Sequence, residues 1–542
     1  MPDRKSSKTP TATTPPVPAP APVSAPRAPC PGDIYVQRSA DTGRYCAYQI
    51  IHAGNTSPRS PGKDISLLSL DWVGDTLPTD ADLAAMRPLN NTRYYWGHSL
   101  DYRMVIPPRL PASFIYIANR PPLITKKTNS FGGWPAPRKQ SAEHEADWRA
   151  RDPERLRRFN AAHGSGREFI LAPGYTARDT HTRAGPELLD RLANLADLDK
   201  LPRLLEIEAR GPRPDLIAYL RTHDLLYRLI WREHGRCELD FRDIPHIEEI
   251  ELDATGLETL HLHKALRTLK LTGTLHPRIR IHAHDGGSQL HLETPPAIAG
   301  AGHADPGLPK LATLRIAGID CLDLATIVAR HPALEVLSLA GKPGALQNLS
   351  AIARLPRIRS LCLDDLFGFT PADIPPPGTH PHLASLSLES IPADVAAHVK
   401  KVYAPLKKTA NLDLEVRKPR APGWLAENLD NPFRAWDGSE FVTPANARRA
   451  AALYKKTHAA LRARLDAHDA PVMLPAYLEA LVREWTATFN AWDKRTAWIE
   501  TEERETICEV VENFLIEAAR RHPAANINIP ALTALFDDLR DF

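Results

Sequence analysis

The feature that most constrains this chain is a short apolar phrase that returns at near-constant intervals. The phrase reads apolar-x-x-apolar-x-apolar. It occurs at Ile247, Ile250 and Leu252, at Leu257, Leu260 and Leu262, and at Leu266, Leu269 and Leu271. It returns at Leu311, Leu314 and Ile316, at Leu334, Leu337 and Leu339, at Ile358, Leu361 and Leu363, and at Leu383, Leu386 and Leu388. Shorter versions stand at Ile279 and Ile281, Leu290 and Leu292, and Leu412 and Leu414. The last apolar residue advances from Leu292 to Ile316, Leu339, Leu363, Leu388 and Leu414, in steps of 24, 23, 24, 25 and 26 residues. A segment of that length holds one strand and a return, and it cannot bury its apolar face alone. The units must stack, each covering its neighbour.

Phrase and period together are those of a leucine-rich repeat, here over residues 237–416. The returns have helical character at 323–329 and 349–354, and Pro332 and Pro356 punctuate them before the next strand. Upstream the steps shrink to 11, 10, 9, 10 and 11 residues, through Phe241, Leu252, Leu262, Leu271, Ile281 and Leu292. Ten residues cannot hold a full coil. Either two units make one coil of about twenty residues, within the known repeat range, or neighbours pair as an ordinary sheet. The sequence leaves both readings open.

The flanks are of other kinds. Ten of the first 31 residues are proline, so residues 1–31 read as a disordered, locally extended tail that buries no core. Residues 32–123 read as a small, mostly β domain, a twisted sheet or partial barrel. Its strands are expected at 33–37, 45–51, 65–70 and 114–117, with one short helix at 79–86 capped by Thr79. Residues 124–236 read as a helix and loop connector that caps the repeats, with helices at 142–160, 186–198 and 214–231. Residues 417–542 read as a helical domain, with helices at 445–465, 474–492, 502–520 and 529–539. The helical spacing of Trp485, Phe489 and Trp492 points to core packing. The expected fold class is thus α+β with repeats: a β domain, a leucine-rich-repeat solenoid and a C-terminal α-helical domain.

Bulk composition narrows the function. With 68 basic and 65 acidic side chains the formal charge is only +3, so no nucleic-acid partner is expected. No run of 18 apolar residues occurs, so no membrane partner is expected, and the six scattered cysteines fit a reducing, cytoplasmic setting. No phosphate loop, nucleophile elbow or zinc-ligand spacing is present, and no cofactor, metal or catalytic residue is expected. The histidines His261, His263, His276, His282, His284 and His291 lack a carboxylate or cysteine at a set spacing.

Two resemblances add to this. The run from Gly32 to Tyr35 followed by Gly43, Arg44 and Tyr45, then Leu70 to Asp75 with Pro78, Thr79 and Trp96, then Phe114 and Asn119 to Leu123, resembles bacterial immunity protein family twenty-six. That family also carries a phosphotriesterase-like label. The resemblance covers under a fifth of the chain. It implies neutralisation of a toxin of a polymorphic toxin system by direct binding, without catalysis. Repeats followed by a helical domain also resemble bacterial effector ubiquitin ligases, which use a Cys-x-Asp motif in the helical domain. Here Cys321 with Asp323 and Cys362 with Asp364 lie in the repeats, and Cys508 is followed by Glu509 and Val510. A secreted, enzymatic effector is therefore the alternative reading.

A repeat protein of this kind is expected to bind a protein partner on its outward strand face. The residues that stand just before the last apolar position are Glu251, His261, Lys270, Arg280, His291, Arg315, Ser338, Cys362, Ser387 and Asp413. Among them Lys270, Arg280, His291 and Arg315 are expected to align as a positive strip, and Glu251, His261 and Asp413 to join them in the partner site.

Overall fold

The computed structural model describes residues 28–54, 64–93, 99–105, 110–128, 130–299, 305–409, 412–439, 441–467 and 470–542. The proline-rich segment up to residue 27 and Trp96 lie outside them. The chain divides into two compact units, residues up to 207 with 218–226, and residues 208–217 with 227–542. Among the described residues no helix is long and apolar enough to cross a membrane.

The first unit is built on an open, antiparallel five-stranded sheet. Its spatial order is Tyr102–Val105, Ile65–Gly74, Tyr45–Ala53, Asp33–Arg38 and Phe114–Asn119. The long strands are buried on both faces, so their inward residues do not alternate with exposed ones. Tyr35, Cys46, Tyr48, Ile50 and Phe114 pack on one side with Ala142. Ile34, Val36, Ala47, Ile51, Leu68 and Leu70 pack on the other with Leu83 and Met86. Thr79 caps the Asp80–Ala85 helix, accepting the Asp82 N–H at 3.2 Å while the Asp82 carboxylate accepts the Thr79 N–H at 2.7 Å.

The charged stretch read as one helix over 142–160 is two, Ser141–Arg149 and Pro153–Ala161. Asp152 ends the first turn-over by capping the second, accepting the Arg155 N–H at 2.8 Å. Two carboxylates of the first helix are buried. Glu143 holds the Gln140 N–H and the Thr42 hydroxyl, and Glu145 holds the Thr92 N–H at 2.9 Å and its hydroxyl at 2.6 Å. The 186–198 helix is a shorter one, Pro186–Arg191, followed by a 3-10 turn at Leu195–Lys200.

The helix expected over 214–231 is contradicted more fully. Only Leu216–Thr222 is helical, and Arg228–Arg232 is a strand whose Leu229 pairs with Ile250. Leu226, Leu229 and Trp231 carry the repeat phrase themselves, with tryptophan in the last apolar place. The register of the phrase decided the outcome over helical periodicity.

In the second unit the phrase builds a parallel sheet. From Arg228–Arg232 it runs through Glu249–Asp253, Thr268–Thr272, His291–Thr294, Thr313–Asp323, Val336–Gln347, Ser360–Phe367, Ser385–Glu389 and Asp413–Arg417. Leu314, Leu337, Leu361 and Leu386 stand side by side in register, with Leu292 and Leu414 continuing the row. The ten-residue units resolve as half-coils. Glu238–Asp240, Thr259–His261 and Arg280–His282 form a second parallel sheet, so successive phrases alternate between the two sheets. Coil length follows the return. An extended return advances about 3.3 Å per residue, against about 1.5 Å for a helical one, and so needs fewer residues. The longer coils return through Leu324–Arg330, the 3-10 turn Leu349–Arg354 and Ala393–Tyr403.

The strands Thr313–Asp323, Val336–Gln347 and Ser360–Phe367 run on beyond the repeat core. Two glycines permit it. A side chain on Gly344 would stand 2.3 Å from the Ile319 carbonyl oxygen, and one on Gly341 would stand 2.1 Å from that of Asp365.

The helices Pro444–Leu465, Ala470–Thr496, Thr501–Arg521 and Ile529–Leu539 follow. Trp485, Phe489 and Trp498 are buried together with Phe433, Trp436, Leu478 and Phe514. The segment that leads into this bundle is tied to the last repeats by Arg420. Its guanidinium, 5% exposed, donates to the Ser390 hydroxyl at 2.9 Å and to Asp437 at 2.8 Å, and lies 3.9 Å over the Trp424 ring.

Replacing Leu337 by Ala removes a fully buried side chain from the centre of the inward row. The expected loss is about 2–5 kcal/mol, read from urea unfolding of the full chain.

Candidate binding face of the repeat sheet

Parallel pairing fixes which outward side chains are neighbours. Along the first sheet the outward row is Glu251, Lys270, Glu293, Arg315, Ser338, Cys362, Ser387 and Glu415. Of the expected site residues, Glu251, Lys270 and Arg315 lie in this row.

The others do not. His261 and Arg280 are on the second sheet, because alternate half-coils face different ways. There the Arg280 guanidinium donates to the Asp305 carbonyl, and the His261 ring stacks on His282 with centroids 4.5 Å apart. His291 and Asp413 are on the first sheet but two residues earlier, in the row of Thr268, Thr313, Ser360 and Ser385. The residues in register are Glu293 and Glu415. The signal for them is in the sequence: Leu292, Glu293 and Thr294 complete a phrase in which threonine takes the last inward place, and Leu414, Glu415 and Val416 complete another. Thr294 is buried there, 2% exposed.

The positive strip is therefore corrected to an ion-paired ladder. Arg232 meets Glu208 at 3.0 Å and Glu251 at 3.3 Å, Lys270 meets Glu251 at 3.3 Å, and Arg315 meets Glu293 at 3.8 Å. Opposite charges alternate from strand to strand, so this part of the face is neutralised within the chain.

The next part is small and uncharged. Ser338, Cys362 and Ser387 stand in the row, with Val336, Ser360 and Ser385 beside them. All six are half-exposed. Burial pushes the Cys362 thiol above its ordinary range.

The far corner is charged, with carboxylates and basic groups interleaved. Asp364 pairs in register with Glu389, and Glu389 with Arg417. Burial, then the neighbouring Glu389 and Asp365, hold the Asp364 carboxyl above the usual carboxylate range. Glu389 meets Lys418 at 3.1 Å and Arg417 at 3.4 Å, while Asp365 meets Arg434 at 3.1 Å.

Elsewhere the chemistry is sparse. Among the described residues no three His, Cys, Asp or Glu side chains gather where they could hold a metal ion. Burial, with Glu512 and Asp537, raises the Cys508 thiol, the opposite of what an activated nucleophile needs.

No protein-family model matches the chain, and no curated protein matches it. Solved structures overlap with parts of it. An internalin, inlF, from Listeria monocytogenes is 15% identical, with 42% of this chain and 71% of that one covered and a TM-score of 0.22. An internalin C2 from the same species is 16% identical, with 49% and 93% covered and a TM-score of 0.18. TLR13 in its complex with ssRNA13 is 15% identical, with 45% of this chain and 39% of that one covered and a TM-score of 0.25. The repeat assignment rests on the strand register above and not on these overlaps.

The ladder makes a prediction about charge reversal. Lys270→Glu with Arg315→Glu sets like charges against Glu251 and Glu293. The double variant should lose stability, on the order of 1 kcal/mol per pair at this exposure, and high salt should restore part of it. Equal unfolding midpoints for wild type and variant at low salt would refute the ladder.

Proposed function

We propose that this chain is a protein-binding repeat protein, and that its partner docks on the outward face of the parallel sheet, over Ser338, Cys362 and Ser387. The observation that carries this is the distribution of charge along one in-register row. A small, uncharged centre lies between the ion pairs of Glu251 to Arg315 on one side and Glu415, which meets Arg417 at 3.2 Å, on the other, with Asp364 and Glu389 in the outward row two residues on. Protein interfaces have this anatomy, a core depleted of charge within a polar rim. A centre of serines costs little to desolvate when the partner supplies hydrogen bonds.

The finer reading is toxin neutralisation. The resemblance of residues 32–123 to immunity protein family twenty-six supports a bacterial toxin as the partner, bound directly and without turnover. The raised Cys508 thiol speaks against the alternative, an effector with a ligase-like helical domain. We read the chain as a binding protein and not an enzyme, working in the cytoplasm.

The test is a pull-down with the full-length chain, then calorimetry on the recovered partner. Ser338→Arg with Ser387→Arg places two long charged side chains at the centre of the face. Kd should rise at least about tenfold, which is about 1.4 kcal/mol, with the circular dichroism spectrum unchanged. An unchanged Kd would move the site to the five-stranded sheet or the helical domain. Inhibition of the recovered partner's toxicity would support the immunity reading, and a partner without toxicity would remove it.

A further inference from the structure

Six turns of the second unit share one hydrogen bond. Ahead of six first-sheet strands, a residue accepts at its carbonyl the N–H of the first apolar residue of the phrase, three places on. Ile244 accepts from Ile247 at 3.3 Å, His263 from Leu266 at 3.4 Å and Leu308 from Leu311 at 3.2 Å. His331 accepts from Leu334 at 3.3 Å, Leu355 from Ile358 at 3.4 Å and His380 from Leu383 at 3.2 Å. All six accepting residues are buried. Histidine thus holds, in His263, His331 and His380, a place that other coils give to Ile244, Leu308 and Leu355.

The imidazoles do what the aliphatic groups cannot. The Nδ1 of His331 lies 3.1 Å from the Leu308 carbonyl, the same turn position one coil earlier, and its N–H donates there. His380 lies 3.0 Å from the Ile352 carbonyl and donates back in the same sense. His263 works the other way, its Nδ1 accepting the Ala265 N–H at 3.2 Å. The remaining nitrogen of His331, Nε2, is buried with no hydrogen-bond partner among the described residues.

The arrangements of His263 and His331 require the neutral ring. Protonation of His331 would add an N–H at Nε2 with nothing to receive it. Protonation of His263 would occupy Nδ1 and break the bond from Ala265. The charged or titratable groups nearby are Glu248, Lys264 and His284 around His263, and Asp305 and Arg330 around His331. Among the described residues none forms an ion pair with either imidazole.

We propose that His263 and His331 make the repeat stack acid-labile: neutral, they fill and clip the turns, and protonated, they open the coils and dissolve the outward face. Burial is the largest cause acting on both rings, pulling His263 down to about 4 and His331 below the ordinary histidine value of 6.5. The open chain therefore takes up more protons than the closed one below 6.5. The stabilisation is complete above that pH and is lost as pH falls toward the closed-state values. Release of a partner on acidification would follow, and that consequence alone rests on the docking reading above.

The test is amide hydrogen exchange of the full chain without partner, from pH 7 to pH 5, corrected for intrinsic exchange. It is read in Thr268–Thr272 and Val336–Gln347. Between pH 6.5 and 5 the opening equilibrium should rise about tenfold for a ring like His263, since each unit of differential protonation is tenfold. His263→Leu with His331→Leu installs the residue of the other coils and should flatten that rise. His331→Gln keeps a donor without titrating and gives the same answer if the double variant fails to fold. A flat wild-type profile would overturn the proposal, as would variants that open in acid as the wild type does. Opening in acid without any partner binding at neutral pH would support it while removing the docking reading.

Discussion

Parallel register is the constraint on which the second unit depends. Leu229, Ile250, Leu269, Leu292, Leu314, Leu337, Leu361, Leu386 and Leu414 stand in one inward row because, through the phrase, each strand bonds its neighbour in constant register. A slip of one residue would turn every leucine outward. The same register sets outward side chains about 4.8 Å apart, too close for like charges to stand side by side without loss. Arg232, Glu251 and Lys270 answer that requirement within the chain. The inward leucines and the outward ion pairs are therefore two consequences of one backbone arrangement.

A stack also has ends, and the last coil offers apolar surface that no further repeat covers. Here the chain turns into the helical segment through Arg420. A buried guanidinium is expensive to desolvate, and the cost is offset by Ser390, Asp437 and the Trp424 face. Asp365 receives both the Ser390 hydroxyl at 3.0 Å and Arg434 at 3.1 Å, so repeat and bundle share one polar network. Removing one member would leave other buried polar groups unsatisfied.

Much of this was legible in the residues. The 23–26 residue steps located Leu314, Leu337, Leu361 and Leu386 in one row, and the four C-terminal helices lie close to where their apolar spacing put them. What could not be read was phase. Thr294 in an inward place made Leu290 and Leu292 look like the end of a phrase, and a two-residue shift exchanged His291 for Glu293. Trp231 in the same place hid a whole strand behind a helical pattern. The ten-residue units gave Arg280 and His261 the right local spacing, but which sheet they join depends on whether the return is extended. That is settled by packing between coils and not by the phrase. The positive strip failed for this reason, since it took residues from two sheets and skipped the glutamates between them.

The difference between returns also explains why the candidate face lies late in the repeat. Coils with extended returns are short and carry a second sheet, whose outward side chains, Arg280 among them, bond locally. Coils with helical or 3-10 returns are longer, and in them the strands of the first sheet can run on, to 11 residues in Thr313–Asp323 and 12 in Val336–Gln347. Gly341 and Gly344 let those extensions approach one another at backbone distance. Longer strands give a wider outward surface over the same coils in which serine and cysteine replace the ion pairs. A wide surface that needs no internal neutralisation is one whose polar groups remain available to a partner, whereas the Glu251 to Arg315 ladder has already spent its charges on itself.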